Sequence, residues 1–202
     1  YLDRHKKAKI RMRSFSPDTS PLLTPRPSPH YDDRPAGEQI SLLVIHNISL
    51  PAGQFAAVPE QSYVDALFMV NLDCSAHNSF TGLQGLRVSA HCVIWRDGRI
   101  FNYVPFTQRA WHAGVSQFDG RERCNDFSIG IELEGTDNLP YTEQQYQSLI
   151  TLTYFLMQQH PAITPDRIVG HCDIAPGRKT DPGIAFDWMR YRSAIKSAIK
   201  IV

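Results

Sequence analysis

The chain has 202 residues, 42% of them apolar, and a formal net charge of +1. That size and apolar content suit one domain with a sizeable core plus an appended segment, and require no second domain. Residues 1–29 carry seven Lys or Arg against two Asp and the remainder fourteen against eighteen, so the body is mildly acidic and lacks the basic face of a duplex-binding domain.

Tyr1 to Arg13 is rich in Lys and Arg, and Ser16 to Pro29 contains five prolines. Prolines remove backbone donors and favour polyproline or disordered chain, so residues 1–27 are expected to be a basic extension outside a domain spanning 28–202. Such an extension reads as a tether to an acidic surface or simply as a solvated tail. Ser41 to Asn47 then forms a continuous apolar run of the length of a strand covered on both faces, with His46 near its end. A histidine there sits at the rim of a sheet, where sites in α/β folds form; its bland role is an ordinary hydrogen-bonded strand end.

Asn47 to Gly85 is a long connection, with a short helix predicted within Ser62 to Phe68, and a connection of this length reads as a lid or a wall of a binding groove. Val88 to Trp95 and Ile100 to Val104 read as two strands joined by the Asp97-Gly98 turn. Alternation puts Ser89, His91 and Val93 on one face and Ala90, Cys92 and Ile94 on the other, so His91 and Cys92 cannot serve one metal together. Trp111-His112-Ala113-Gly114 reads as pocket lining or as closure of the core edge. Phe127 to Gly135 is another strand, whose period of two places Ser128, Gly130, Glu132 and Glu134 on one face. The two carboxylates emerge side by side past a glycine that clears space, either as a general base near a metal or as the wet face of an edge strand.

Thr142-Glu143-Gln144-Gln145 fits a capping box, and an apolar stripe from Tyr146 to Met157 continues the helix until His160-Pro161 stops it. A last helix is predicted from Asp187, with Trp188, Tyr191 and Ile195 on its apolar side. Between the two helices lies Val169 to Gly183, which packs His171, Lys179 and Asp181 into one turn-rich loop after a short apolar strand. A neutral imidazole, a carboxylate and a third ligand from upstream would hold zinc with one coordination position open, and His46 is the best-placed third ligand. The alternative is a solvated loop in which His171 and Asp181 never meet. Strands mixed with packed helices and a hairpin indicate an α/β (α+β) fold whose mixed central β-sheet is flanked by helices.

Cys74, Cys92, Cys124 and Cys172 show no CxxC spacing, which points to free thiols in a reducing compartment rather than to a zinc ribbon or a redox pair. No run approaches the ~18 apolar residues of a membrane helix, and the N-terminus lacks the apolar stretch of a secretory signal.

Four separated blocks, Leu43 to Pro51, Arg87 to Cys92, Arg121 to Gly135 and Gly170 to Gly183, resemble the signature blocks of the zinc-dependent N-acetylmuramoyl-L-alanine amidases, and within them the cytoplasmic AmpD-type enzymes that act on 1,6-anhydromuropeptides. The resemblance covers about Ser28 to Trp188 and leaves the basic extension outside. It implies a mixed sheet flanked by helices, as in peptidoglycan recognition proteins, with Zn²⁺ held by His46, His171 and Asp181. It further implies Glu132, rather than Glu134, as the catalytic carboxylate, Lys179 as a catalytic cation, and Asn47, Arg87, Trp111, Arg123 and Ala175 as substrate contacts. The partner implied is an anhydromuropeptide, cleaved in the bacterial cytoplasm by a monomer, with no nucleic acid and no membrane span.

Two other readings use the same fold. A periplasmic or phage-type amidase would cut intact cell wall, against which the missing signal segment argues. A non-catalytic peptidoglycan-binding module would not need a full metal set together with Glu132 and Lys179.

Overall fold

A computed structural model describes residues 20–200, in which strands β1 (Leu23–Pro25), β2 (Tyr31–Asp32), β3 (Leu42–Ile48), β4 (Cys92–Ile94) and β5 (Ile100–Asn102) are followed by β6 (Arg109–Ala110), β7 (Gln117–Phe118), β8 (Arg121–Glu122), β9 (Ser128–Glu134) and β10 (Ile168–Gly170). The helices are α1 (Tyr63–Phe68), α2 (Glu143–Gln159), the single-turn α3 (His171–Ile174) and α4 (Trp188–Ile199). Six strands form the central sheet in the order β1-β5-β4-β9-β3-β10, while β2 pairs with β6 and β7 with β8 as short ribbons. Only β4 and β5 run antiparallel within the central sheet; its other pairs are parallel. The sheet is mixed and carries helices, as the sequence predicts.

The apolar run of Leu42–Ile48 and the strand Ser128–Glu134 lie side by side inside the sheet and are covered on both faces. One face presents Leu43, Ile45, Ile129, Ile131 and Leu133 to Leu149, Leu152 and Leu156 of α2 and to Tyr191 and Ile195 of α4. On the opposite face Leu42 and Val44 pack with Ala113, Phe127 and Ile174. Period-two alternation places His46 on that second face, in line with Leu42 and Val44 and away from the two long helices.

Helix α2 starts where its capping box predicts: Thr142 Oγ1 accepts from Gln145 N at 3.1 Å, and Gln145 Oε1 accepts from Thr142 N at 3.1 Å. Ser62 caps α1 by accepting from Asp65 N, and Asp187 caps α4 by accepting from Arg190 N, without the reciprocal bond of α2.

The basic run of the extension lies outside the described residues, but the boundary expected at residue 28 does not coincide with a break in the fold. Leu23–Pro25 is the edge strand β1, parallel to β5, and Arg26 forms an ion pair with Asp65, whose side chain is 3% exposed. An edge strand needs hydrogen bonds on one side only, which lets a proline-flanked segment join the sheet. The predicted strand Val88 to Trp95 is also shorter than expected, because 88–91 is irregular chain and only Cys92–Ile94 pairs with β5. Among the described residues, no helix is long and apolar enough to cross a membrane.

Candidate functional site

Strand register builds the site. In the parallel pair β3–β9, His46 lies directly opposite Glu132, so both side chains leave the same face. In the pair β10–β3, Gly170 lies opposite Ile45. The next residue, His171, is therefore carried to the level of His46 as the strand turns into α3. Asp181 comes back along the loop that follows, tied to the start of α3 by a hydrogen bond from Cys172 N to its own carbonyl at 3.0 Å.

The three side chains meet. His46 Nδ1 and His171 Nδ1 are 3.0 Å apart, and each lies 3.1 Å from Asp181 Oδ2. This triangle matches one face of a tetrahedron around a first-row cation with bonds of about 2.0–2.2 Å. The far nitrogens are already engaged: His46 Nε2 lies 2.9 Å from His112 Nδ1, and His171 Nε2 lies 3.1 Å from the Ala113 carbonyl. A carbonyl only accepts, so His171 Nε2 is the donor to Ala113, and in the neutral tautomer with that proton a lone pair on Nδ1 faces the acceptor Asp181 Oδ2. Lone pair facing carboxylate is repulsive unless a cation lies between them, and the two nitrogens and one oxygen are a donor set that suits such a cation.

The electrostatics agree with that chemistry. Burial pushes the His46 imidazole down to about 4, outweighing the raising effect of Asp181, so it is a neutral ligand at pH 7. Burial alone would raise Asp181, but the two imidazoles against it outweigh that and hold its carboxylate well below the usual range. Burial, reinforced by Asp181 and opposed by Lys179, raises the Glu132 carboxyl well above its ordinary value. Glu132 Oε2 is buried without a hydrogen-bond partner among the described residues. Glu134, on the same face two residues on, has both oxygens engaged, accepting from Ala56 N at 3.4 Å and from Arg96 N at 3.2 Å.

These groups lie in a cleft of roughly 580 Å³ whose lining includes His46, His171, Asp181, Glu132 and Lys179, within the range of sites that take a small ligand. One wall, with Leu50, Leu67, Phe68 and Leu83, comes from the long connection after β3, which the sequence reads as a lid or a wall. Asn47 and Trp111 also line the cleft. Asn47 Nδ2 donates to Asp137 Oδ1 at 2.8 Å, and Trp111 Nε1 donates to Asp32 Oδ1 at 3.0 Å.

The other three expected substrate contacts stand differently. Arg87 does not line the wall but stacks its guanidinium on the Trp111 ring, 4.9 Å from the centroid. Arg123, 70% exposed, pairs through Nε with Asp126 at 3.1 Å, and Ala175 is buried at the end of α3. Neither belongs to the cleft lining.

Asp137, which the sequence leaves unassigned, belongs to the site because it holds Asn47, and His112, which the sequence reads only as pocket lining or closure of the core edge, lies behind His46. The ring of His112 fills the space that Gly130 clears, since a Cβ at 130 would stand 2.4 Å from His112 Cγ. All four cysteines are free.

Residues 36–184 match the family model of N-acetylmuramoyl-L-alanine amidases. The chain is 59% identical over 181 residues to the 1,6-anhydro-N-acetylmuramyl-L-alanine amidase AmpD of Salmonella typhimurium, covering 89% of this chain and 94% of that one. Among solved structures, it superposes on a crystal structure of a selenomethionine derivative of AmpD with a TM-score of 0.81 and 59% identity, over 86% of this chain and 94% of that one. A complex of the Escherichia coli amidase AmiD with its substrate anhydro-N-acetylmuramic acid-L-Ala-D-γ-Glu-L-Lys matches with a TM-score of 0.55 and 29% identity, over 80% and 60% of the two chains.

Proposed function

The chain belongs to the N-acetylmuramoyl-L-alanine amidase family, and from that premise we propose that it hydrolyses the amide joining 1,6-anhydro-N-acetylmuramic acid to the L-Ala of muropeptides, a step of peptidoglycan recycling. The reading places the enzyme in the bacterial cytoplasm, as a monomer, with Zn²⁺ held by His46, His171 and Asp181. Its main support is the juxtaposition of that ligand triangle with Glu132, a buried carboxylate placed opposite His46 by strand register. The high identity to AmpD enzymes supports the choice of bond and substrate.

When bound, the metal supplies Lewis acidity, polarising the scissile carbonyl and lowering the pKa of water. Glu132 takes a proton from the attacking water and passes it to the departing L-Ala amine. Burial raises its pKa above that of an ordinary carboxylate, the direction that favours holding a proton between the two halves of that task. Lys179, on the cleft lining, stabilises the negative charge that builds on the carbonyl oxygen. Removing such a stabiliser costs about 3 kcal/mol, or ~10²-fold in rate. Trp111 presents an aromatic face to the bound ligand, and Asn47, fixed by Asp137, offers it an amide. Arg87, stacked on Trp111 at the edge of the cleft, and Arg123 beyond it are suited to carboxylates of the peptide stem, which a guanidinium fork binds bidentately. Ala175, buried and off the cleft lining, acts indirectly, its carbonyl accepting from Lys179 N at 3.0 Å.

The test is mass spectrometry of 1,6-anhydro-N-acetylmuramyl tripeptide and of intact sacculi, each incubated with zinc-loaded and with chelator-treated protein. Free tripeptide released from the small substrate alone, and only by the zinc-loaded protein, is the expected result. Cleavage of sacculi would make the protein a cell-wall amidase, and binding without cleavage by a zinc-loaded protein would make it a receptor.

A further inference from the structure

The loop 111–115 supports both histidines of the metal site from behind. His112 Nδ1 stands 2.9 Å from His46 Nε2, and the Ala113 carbonyl stands 3.1 Å from His171 Nε2. The loop is itself clamped from two sides. Asn125 Oδ1 accepts from the backbone N–H of His112 at 3.1 Å and of Ala113 at 2.8 Å, and Arg178 Nη2 donates to the carbonyls of Ala113 and Val115 at 2.6 Å each.

Proton bookkeeping fixes the direction of each bond. A His46 that offers the lone pair of Nδ1 to a cation carries its proton on Nε2, so His112 Nδ1 is the acceptor. The proton of His112 then lies on Nε2, 3.1 Å from Ser128 Oγ. We propose that His112 is a positioning residue for the metal centre: it accepts from His46 Nε2, and so fixes the tautomer and ring plane in which His46 presents Nδ1, while Arg178 keeps the loop rigid. This deepens the metal site proposed above and rests on it. Both residues border the cleft, and in this role each acts through His46 or the loop behind it. A partner behind a metal histidine matters because it orients the ring and raises the basicity of the ligating nitrogen, and its loss typically weakens metal binding about 10–100-fold.

The variants separate positioning from bulk. His112→Phe keeps an aromatic ring but leaves the His46 Nε2–H buried without an acceptor. His112→Asn puts Oδ1 where Nδ1 was and restores the acceptor. Arg178→Met removes the clamp from an exposed side chain and does not disturb the core. Zinc affinity is read by competition with a chromophoric chelator, and the ligand field by the visible bands of the cobalt(II)-loaded protein.

We expect His112→Phe to bind zinc about 10–100-fold more weakly with shifted cobalt bands, His112→Asn to recover most of the affinity and the bands, and Arg178→Met to weaken zinc binding by a smaller factor. Wild-type affinity and bands in His112→Phe would overturn the inference, as would a His112→Asn no better than His112→Phe. If His112→Phe does not fold, unchanged zinc affinity in Arg178→Met overturns it instead. A wild-type protein that takes up no zinc would overturn the metal site itself, and the inference with it.

Discussion

Glu132 and Glu134 leave β9 on the same face, and what separates them is company. Glu134 accepts from the backbone N–H groups of Ala56 and Arg96, whereas Glu132 Oε2 has no partner among the described residues. Glu132→Gln is therefore expected to keep its metal and lose about 10²–10⁴-fold in turnover. Glu134→Gln should keep turnover and lose about 1–2 kcal/mol of stability, because one of two half-buried N–H groups loses its charged acceptor. Paired measurements of kcat and urea unfolding separate the two, and near-normal turnover in Glu132→Gln would move the base role elsewhere. Strand alternation in the sequence puts both carboxylates on one face but cannot choose between them, because the choice is made by residues 56 and 96, which are distant in the chain. His112 is illegible for a similar reason: it reaches His46 from another layer, and no spacing rule links positions 46 and 112.

His91 gives a pH-dependent consequence at the same scale. Its Nδ1 accepts from Gly130 N at 3.0 Å, and burial, helped by the neighbouring Arg34, pushes its pKa from 6.5 down to about 3. The unfolded chain thus binds a proton that the folded one refuses between those values. The stability from His91 is full above about 6.5, falls as the pH drops below it, and is lost by about 3, with a slope of up to about 1.4 kcal/mol per pH unit. His91→Asn, which keeps an acceptor for Gly130 N, should flatten the acid limb of the stability profile by that slope. An acid limb as steep as that of the wild type would contradict the assignment.

Among the elements, the two long helices were the most legible. Thr142, the apolar stripe and Pro161 mark α2 from local signals alone, since caps and stops act within one turn. Thr142 Oγ1 both accepts from Gln145 N and donates to the Arg96 carbonyl at 2.7 Å. Thr142→Ala should cost about 1–2 kcal/mol, measured by urea unfolding, with turnover unchanged. Strand β1 was not legible, because its pairing depends on the distant β5 and its composition is that of a linker. Its anchor is Arg26, which with Tyr103 OH satisfies the buried Asp65. Arg26→Met leaves that carboxylate one partner short and should destabilise the fold by about 3 kcal/mol. Wild-type thermal stability in this variant would mean that residues 20–27 rest on the domain without supporting it.

At the scale of the molecule, the order β9-β3-β10 explains why distant residues form one site. Parallel strands present their carboxyl ends along one edge of a sheet, where open α/β folds build their sites. Here that edge gathers Glu132, His46 and His171 in neighbouring strands or just past them. The sequence supplies these three strands and each candidate ligand, and the loop carrying His171 and Asp181 announces itself by composition. Strand order lies outside what composition records, so the sequence offers a set of ligands and the sheet brings them within 3.1 Å.

The proposed chemistry requires that this triangle hold the metal that does the work. The most direct test measures bound zinc by inductively coupled plasma mass spectrometry, and tripeptide release from 1,6-anhydro-N-acetylmuramyl tripeptide, on the same samples of wild-type and Asp181→Ala protein. One zinc per wild-type chain, with metal and activity lost together in Asp181→Ala, is the predicted result. An Asp181→Ala protein that keeps both its zinc and its turnover would contradict it.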